Sequence, residues 1–246
     1  MVTITQEHLE RLVQIESHIH YGELPPPEVL PFVVTERNSR VVLSAPHGAR
    51  TFRNSAKQRW HEEDEYTAGM ALLLSELCYT SVIATTWRMD NADPNDTQVC
   101  DYKNALRDLA QNQGIRFLID LHGAAQDCAK VPHSWVDLGT GVGRSQSMTP
   151  AQLREFKFCI QRRLGNGTVS HNKWRAAGTG CVRTFSWNSL HVRAVQVEMK
   201  PCVRVPIRRT DASSFASRGP YSAAPDQVIG MMQALADFID YLHHRR

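Results

Sequence analysis

The chain has 246 residues, of which 42% are hydrophobic and 22% are charged, and this composition is typical of globular proteins rather than disordered or membrane-embedded ones. Its formal net charge of +3 is too small to indicate a nucleic-acid partner, which usually requires a concentrated stripe of Lys and Arg. We expect one domain over 1–246, with an N-terminal helix and proline-rich connector (1–39), a core (40–205), and a loop with a closing helix (206–246).

The N-terminal region lacks the pattern of a secretory signal, because Glu7, Glu10 and Glu16 occupy the stretch where a signal needs a basic start and an apolar run. No stretch approaches the roughly 20 apolar residues of a membrane-spanning helix. The cysteines are scattered without a C-x-x-C pair, at Cys78, Cys100, Cys128, Cys159, Cys181 and Cys202. We therefore expect reduced, mostly buried thiols and a cytoplasmic protein with no membrane partner.

Apolar spacing and turn residues predict alternating helices and strands along the chain. The predicted helices cover 6–17, 68–77, 99–110, 149–164 and 225–243. The predicted strands cover 41–45, 81–87, 115–121, a short segment within 131–143, and 192–199. This alternation of strand, helix and strand predicts an α/β sheet.

Two of the predicted strands end in a histidine followed by a glycine, at His47-Gly48 and His122-Gly123. Glycine allows a backbone or a ligand to approach closely. Asp120 lies two residues before His122, so strand alternation places both on one face and makes Asp120 a hydrogen-bonding partner of His122 rather than a ligand. The two strand-end histidines together predict one shared cation.

An acidic cluster, Glu62, Glu63, Asp64 and Glu65, precedes the helix predicted at 68–77. A catalytic zinc needs about three His or carboxylate ligands and an open position for water. One acid of the cluster would complete the set with the two histidines, and the residues alone leave open which one. The alternative is a solvated helix N-terminus stabilised by the helix dipole, and both interpretations can hold together.

Three further charged residues are candidates for catalysis or binding. Glu198 lies in the apolar strand 192–199, where a buried charge is costly without a partner; the alternative is a solvent-facing glutamate beside Gln196. Arg88 lies between a strand and an Asp/Asn-rich loop, and Arg204 follows the strand of Glu198. Either arginine could hold a substrate carboxylate or, with a metal, an oxyanion; the alternative is an ordinary surface arginine.

The order of these motifs resembles the N-formylglutamate amidohydrolase family, which belongs to a wider zinc-carboxypeptidase-like group with aspartoacylase and phage poly-γ-glutamate hydrolase. The resemblance covers roughly residues 40–205. It is carried by Pro46-His47-Gly48, Asp64-x-x-Thr67, Asp120-Leu-His122-Gly123 and Gln196-Val-Glu198. It implies a three-layer α/β architecture, a mixed sheet flanked by helices, of the zinc-carboxypeptidase-like (phosphorylase/hydrolase-like) fold.

The resemblance also implies roles for individual residues. One Zn²⁺ would be held by His47, His122 and an acid best matched by Asp64, with Glu63 as the alternative. The chain departs from the group's usual His-x-x-Glu, because the acid lies far beyond His47. Glu198 matches the general base of the family. A polar loop that includes Asn95 resembles the family's loop before the second histidine, and makes Asn95 a candidate for substrate binding.

We therefore expect a zinc-dependent hydrolase that cleaves an amide bond in a small, anionic, acylated amino acid (N-formylglutamate-like) or in a γ-glutamyl-type substrate. The carbon–nitrogen bond that it cleaves would not be an ordinary peptide bond. Two alternatives stay open, a metallopeptidase that acts on short peptides and a non-catalytic relative that binds a metal or an anion. No nucleic-acid partner and no particular oligomeric state are predicted.

Overall fold

The computed structural model describes residues 2–54, 58–124, 134–174, 181–213 and 222–244. Within these ranges the α-helices are α1 (Gln6–Ser17), α2 (Thr67–Cys78), α3 (Asp101–Gln113), α4 (Pro150–Leu164), α5 (Val182–Leu190) and α6 (Pro225–His244). The strands are β1 (Phe32–Thr35), β2 (Val41–Ala45), β3 (Thr51–Arg53), β4 (Arg59–His61), β5 (Ser81–Thr85), β6 (Phe117–Gly123), β7 (Val136–Gly139), β8 (Val169–His171) and β9 (Arg193–Met199).

Seven of these strands form one mixed sheet in the order β1-β5-β2-β6-β9-β7-β8. The four central strands, β5, β2, β6 and β9, are parallel, while β1 and β7 pair antiparallel with their neighbours β5 and β9. The carboxyl ends of β2, β6 and β9 therefore meet at one edge of the sheet, which is where ligands usually bind in α/β folds. Strands β3 and β4 form a separate antiparallel pair.

Helices cover both faces of the sheet. Alternate strand residues such as Leu43 and Ile119 are fully buried against the face that carries α1, α2, α4 and α6. The intervening residues, such as Val42 and Leu118, pack against α3 and α5 on the other face. Burial on both faces explains why these strands read as continuous apolar runs. The predicted α/β architecture of a mixed sheet flanked by helices is confirmed.

The long predicted elements are confirmed, with ends that shift by a few residues. The strand predicted at 115–121 runs to Gly123, so His122 lies within β6 instead of following it. The 51–61 region, for which no helix or strand was predicted, contains the antiparallel pair β3 and β4. Strands β1 and β8 and helix α5 were not predicted.

Four cysteines are free, at Cys78, Cys100, Cys159 and Cys181, and all but Cys78 are buried. The expectation of reduced thiols is wrong for Cys202, which is disulfide-bonded. Sequence spacing does not reveal the pairing of scattered cysteines, because pairing depends on distances set by the fold. Cys128 lies outside the described residues. Among those that are described, no helix has the length and apolarity required to span a bilayer.

Candidate metal centre

His47, Asp64 and His122 come together beyond the carboxyl ends of the parallel strands, with donor atoms that all lie within 4.8 Å of one another. The Nδ1 atom of His47 is 3.4 Å from Oδ2 of Asp64, and Nδ1 of His122 is 3.2 Å from the same oxygen. All three side chains are buried. The two imidazoles thus direct the same nitrogen, Nδ1, toward one carboxylate.

Local backbone contacts hold Asp64 beside His47 although the two are well separated in sequence. The Asp64 amide donates to the His47 carbonyl at 2.7 Å. The Thr67 hydroxyl donates to the Asp64 carbonyl at 2.7 Å, which fixes the turn into α2. Gly48 is needed at this crossing, because a Cβ there would lie 2.4 Å from both the Ala68 Cβ and the Thr85 carbonyl oxygen.

The second ring nitrogen of each histidine faces a carboxylate. Nε2 of His47 is 2.8 Å from Oδ1 of Asp93, and Nε2 of His122 is 3.2 Å from Oδ2 of Asp120. Nδ2 of Asn95 lies 3.0 Å from the same His122 nitrogen, while its Oδ1 accepts from the amide of Val182 at the start of α5. A carboxylate on the distal nitrogen fixes the ring and its tautomer and leaves Nδ1 for a ligand bond.

The charges of these groups are strongly coupled. Burial opposes protonation of His122, but the charge of Asp120 and hydrogen bonds to Asp120 and Asp64 raise the pKa of His122 well above its usual value. Burial likewise opposes protonation of His47, yet Asp93 and Asp64 raise its pKa. Burial favours the neutral form of Asp64, but the two histidines hold its pKa well below the usual range. The carboxylate is therefore ionised and available as a ligand.

The donor set suits a divalent metal ion. Nδ1 of His47 is buried and has no hydrogen-bond partner among the described residues. Buried polar atoms usually have such a partner, so this nitrogen is available for a ligand. Two imidazole nitrogens and one carboxylate oxygen form the ligand set of open zinc sites, in which a fourth position remains for water. The residues present therefore fit the predicted metal.

The structure brings Asp64, and not the alternative Glu63, to the histidines. The Glu63 carboxylate accepts from Nε of Arg50 at 3.0 Å and from the Ser213 hydroxyl at 2.9 Å. Glu63 is thus engaged by a different part of the chain. The next acid, Glu65, pairs with Nε of Arg208 at 3.1 Å, also away from the histidines.

Glu198 lies directly opposite His122 in the parallel pairing of β6 with β9. Opposite residues share a face, so the Glu198 side chain is on the same side of the sheet as Asp120 and His122. Nε2 of Gln196 donates to Oε1 of Glu198 at 2.6 Å. Burial raises the pKa of Glu198, an effect that the charge of His122 opposes. Glu198 is partly buried, in agreement with a carboxylate at the edge of a cleft.

Of the two predicted arginines, only Arg204 lies at the centre. A Cβ on Gly123 would meet Nη2 of Arg204 at 2.7 Å and Oδ1 of Asp64 at 2.9 Å, so glycine makes room for both groups. Arg204 is anchored because its Nε donates to the Met199 carbonyl at 3.0 Å. It also donates to the backbone carbonyl of Glu65.

Arg88 is not brought to the ligand group within the described residues. Its Nε and Nη2 donate to the Asp90 carboxylate at 2.7 and 3.2 Å, and its Nη1 donates to the Gly22 carbonyl at 3.0 Å. Its guanidinium lies 5.3 Å from the ring centre of Trp60. Every nitrogen of the Arg88 fork is therefore occupied.

Three residues at the centre were not identified from the sequence as parts of it. No role was assigned from the sequence to Asp93, Arg53 or His61. The His61 ring stacks on His47 with 3.9 Å between ring centres, and Nε of Arg53 donates to Oδ2 of Asp93 at 2.6 Å. The apolar-polar alternation of β3 and β4 was the available signal, but it extends over only three residues in each strand.

No protein-family model and no curated protein matches the sequence. Among solved structures, a gene product from Agrobacterium tumefaciens is similar with a TM-score of 0.53 and 11% identity, over 89% of this chain and 96% of that one. A metallo-carboxypeptidase from Burkholderia cenocepacia gives a TM-score of 0.48 and 12% identity, over 98% and 70% of the two chains. The succinylglutamate desuccinylase from Chromobacterium violaceum gives 0.42 and 16%, over 93% and 75%. The first similarity establishes a shared fold only, and the N-formylglutamate amidohydrolase resemblance stays a prediction.

Proposed function

We propose that the protein is a zinc-dependent hydrolase that cleaves an amide bond in a small N-acyl amino acid, N-formylglutamate-like, or in a γ-glutamyl-type substrate. The observation that carries the proposal is the convergence of Nδ1 of His47, Nδ1 of His122 and a carboxylate oxygen of Asp64 in a buried position. Because Asp93 and Asp120 lie at the other ring nitrogens, each imidazole is oriented for this task.

A zinc ion held by these three residues would supply a Lewis acid that polarises the scissile carbonyl and lowers the pKa of a water molecule to about 7. Glu198 would act first as the general base and then as the general acid. Its Oε1 is occupied by Gln196, so Oε2 would take a proton from the attacking water and return it to the leaving nitrogen. Burial raises the pKa of Glu198, which favours the second transfer.

Arg204 would orient an anionic group of the substrate, because its Nη2 lies beside Gly123 and the Asp64 carboxylate. The contacts of Asn95 support a positioning role, since it lies between His122 and the first turn of α5. Arg88 has a bond from each of its three guanidinium nitrogens to Asp90 or Gly22, and these contacts do not support the catalytic or binding role predicted from the sequence.

The proposal is tested with purified protein loaded with one equivalent of Zn²⁺ and assayed on N-formyl-, N-acetyl- and N-succinyl-amino acids, γ-glutamyl dipeptides and short α-peptides. We expect turnover of an acylated amino acid or a γ-glutamyl substrate. Glu198→Gln should bind zinc normally and lose about 100-fold or more in kcat. Turnover of α-peptides alone would establish a metallopeptidase instead. Stoichiometric zinc without any turnover would identify a non-catalytic metal-binding relative.

A further inference from the structure

The antiparallel pair β3–β4 presents a basic face next to the metal centre. Arg53 lies opposite Arg59, and His61 follows two residues after Arg59, so these three side chains share a face. Phe52 and Trp60 alternate with them and lie on the other face, where their rings meet edge to face at 5.1 Å. We call the surface formed by Arg53, Arg59 and His61 the basic face.

Two contacts show that the basic face is directed toward the candidate ligands. The His61 ring stacks on the His47 ring at an interplanar angle of 25°. Nε of Arg53 donates to Oδ2 of Asp93, whose other oxygen lies 2.8 Å from Nε2 of His47. His61 therefore contacts His47 directly, and Arg53 contacts the carboxylate that faces the His47 ring.

The guanidinium of Arg53 has hydrogen-bond donors that are not used within the described residues. Its Nε bonds to Asp93, but among the described residues its two terminal nitrogens, Nη1 and Nη2, have no hydrogen-bond partner. The side chain is only 16% exposed, so water solvates these donors incompletely. The paired terminal nitrogens of arginine match the two oxygens of a carboxylate, and such bidentate bonds are among the strongest in proteins.

The two arginines predicted from the sequence as binding residues offer fewer free donors than Arg53. Arg88 uses all its nitrogens on Asp90 and Gly22, and Arg204 uses Nε and Nη1 on backbone carbonyls, which leaves one terminal nitrogen. A guanidinium whose two terminal nitrogens make no other bond is best suited to bind a carboxylate through that pair. Of these three residues, Arg53 alone meets the condition.

We propose that Arg53 on the basic face binds a carboxylate of the substrate, and that the β3–β4 pair thereby selects acylated amino acids with an anionic side chain or terminus. Because this inference adds Arg53 to Arg204 as an anion-binding residue of the proposed hydrolase, it rests on the proposed function. Arg59 is exposed at the outer end of the same face and adds positive charge along the approach to Arg53.

The test measures binding rather than turnover. Zn²⁺-loaded protein is titrated by calorimetry with N-acetyl-L-glutamate and with its uncharged diamide, in wild type and in Arg53→Gln, Arg53→Lys, Arg88→Gln and Arg11→Gln. Arg11 is a matched control because it is an arginine on α1 with one acidic partner, Glu76. Zinc content is measured for every variant before the titration.

We expect the wild type to prefer the acid over the diamide. Arg53→Gln should weaken binding of the acid about tenfold or more and leave binding of the diamide unchanged. Arg53→Lys keeps the charge beside Asp93 but loses the fork, so it should lose part of the preference. The Arg88 and Arg11 variants should bind both probes as the wild type does.

The inference is overturned if the wild type binds both probes equally or binds neither. It is also overturned if Arg53→Gln with full zinc weakens both probes alike, or if Arg88→Gln removes the preference instead. If Arg53→Gln loses zinc, the comparison of Arg53→Lys with wild type decides. Absence of hydrolysis together with an intact, Arg53-dependent preference would count against the proposed function but leave this inference standing.

Discussion

Asp93 and His47 form a buried pair in which Oδ1 of the carboxylate lies 2.8 Å from Nε2 of the imidazole. Neither side chain is more than 2% exposed. Because the other Asp93 oxygen accepts from Arg53, the carboxylate cannot rotate freely, and the ring that it faces is held with Nδ1 toward Asp64. The direction of the His47 donor atom thus depends on a residue that does not contact the metal position itself.

Asp93→Asn should therefore weaken zinc binding although it removes no ligand. An amide keeps the size of the carboxylate but not its charge, and outer partners of this kind are worth about 10- to 100-fold in metal affinity. Competition titration with a zinc chelator measures the effect. Asp90→Asn is the control, because Asp90 belongs to the same loop but pairs with Arg88. Equal affinity in wild type and Asp93→Asn would contradict the assignment.

Two adjacent acids allow the third ligand to be assigned directly. Asp64→Asn removes a charged oxygen from the position shared by the two imidazoles, so we expect a larger loss of zinc affinity than for Asp93→Asn. Glu63→Gln should retain stoichiometric zinc, because Glu63 bonds to Arg50 and Ser213. Elemental analysis of the two dialysed variants distinguishes them. Loss of zinc from Glu63→Gln alone would reverse the assignment.

A buried glutamate on α1 supports the turn that carries Asp64. Glu16 is fully buried and accepts from the Tyr21 hydroxyl at 2.5 Å, the Tyr66 amide at 2.7 Å and the Gly69 amide at 3.0 Å. Glu16→Ala would leave three donors without their acceptor, so we expect a loss of about 3 kcal/mol or more in the free energy of unfolding. Urea denaturation measures this loss.

The exposed Glu10 on the same helix is the control for Glu16, and Glu10→Ala should change the free energy of unfolding by less than about 0.5 kcal/mol. If Glu16 acts only through stability, zinc affinity of the folded variant should stay as in wild type. If it also positions Asp64, zinc affinity should fall together with stability. A stability equal to that of Glu10→Ala would show that other donors and acceptors replace the Glu16 bonds.

The free cysteines give a prediction about pH. Burial raises the pKa of Cys78 to about 11 and that of Cys159 to about 12, effects to which nearby carboxylates add. A raised pKa lowers the thiolate fraction at a given pH, and the thiolate is the reactive form. At pH 8 we expect alkylation of Cys78 about a hundredfold slower than that of an unperturbed cysteine. The rate should rise about tenfold per pH unit up to about pH 10.

Peptide mapping by mass spectrometry after timed alkylation follows each cysteine separately. Cys159 should react more slowly than Cys78, because it is buried while Cys78 is partly accessible. A rate at Cys78 that levels off near pH 8 or 9 would mean that its pKa is not raised. The same experiment under native conditions should leave Cys202 unmodified, since its sulfur is in a disulfide.

The sequence predicted the parts of the centre that depend on local pattern. The runs before His47 and His122 are long enough to identify strands, and alternation placed Asp120 on the face of His122 as the structure has it. Asp64 could be selected over Glu63 only through the resemblance, because four consecutive acids contain no signal of which one turns inward. In the structure the Asp64 carboxylate lies beside the two histidines, while that of Glu63 is bonded to Arg50 and Ser213.

The remaining features could not be predicted because they are contacts between distant segments. Glu16 reaches the start of α2 from another helix, and the short strands β3 and β4 contact the centre through Arg53 and His61. Arg88 shows the same dependence on contacts that only the fold reveals. Its position at the end of a strand suggested a role in substrate binding. In the structure its guanidinium donates to the carboxylate of Asp90, two residues along the chain. A sequence pattern indicates the element in which a residue lies, and the fold determines which groups its side chain contacts.

The direct amide-to-carbonyl link between Asp64 and His47 closes the polypeptide loop that contains β3 and β4. Two candidate metal ligands are thus joined by a main-chain hydrogen bond at the two ends of this loop, so the loop between them could differ in length or composition while both ligands keep their positions. Changes in this loop could therefore alter which molecules reach the candidate metal centre without moving His47 or Asp64.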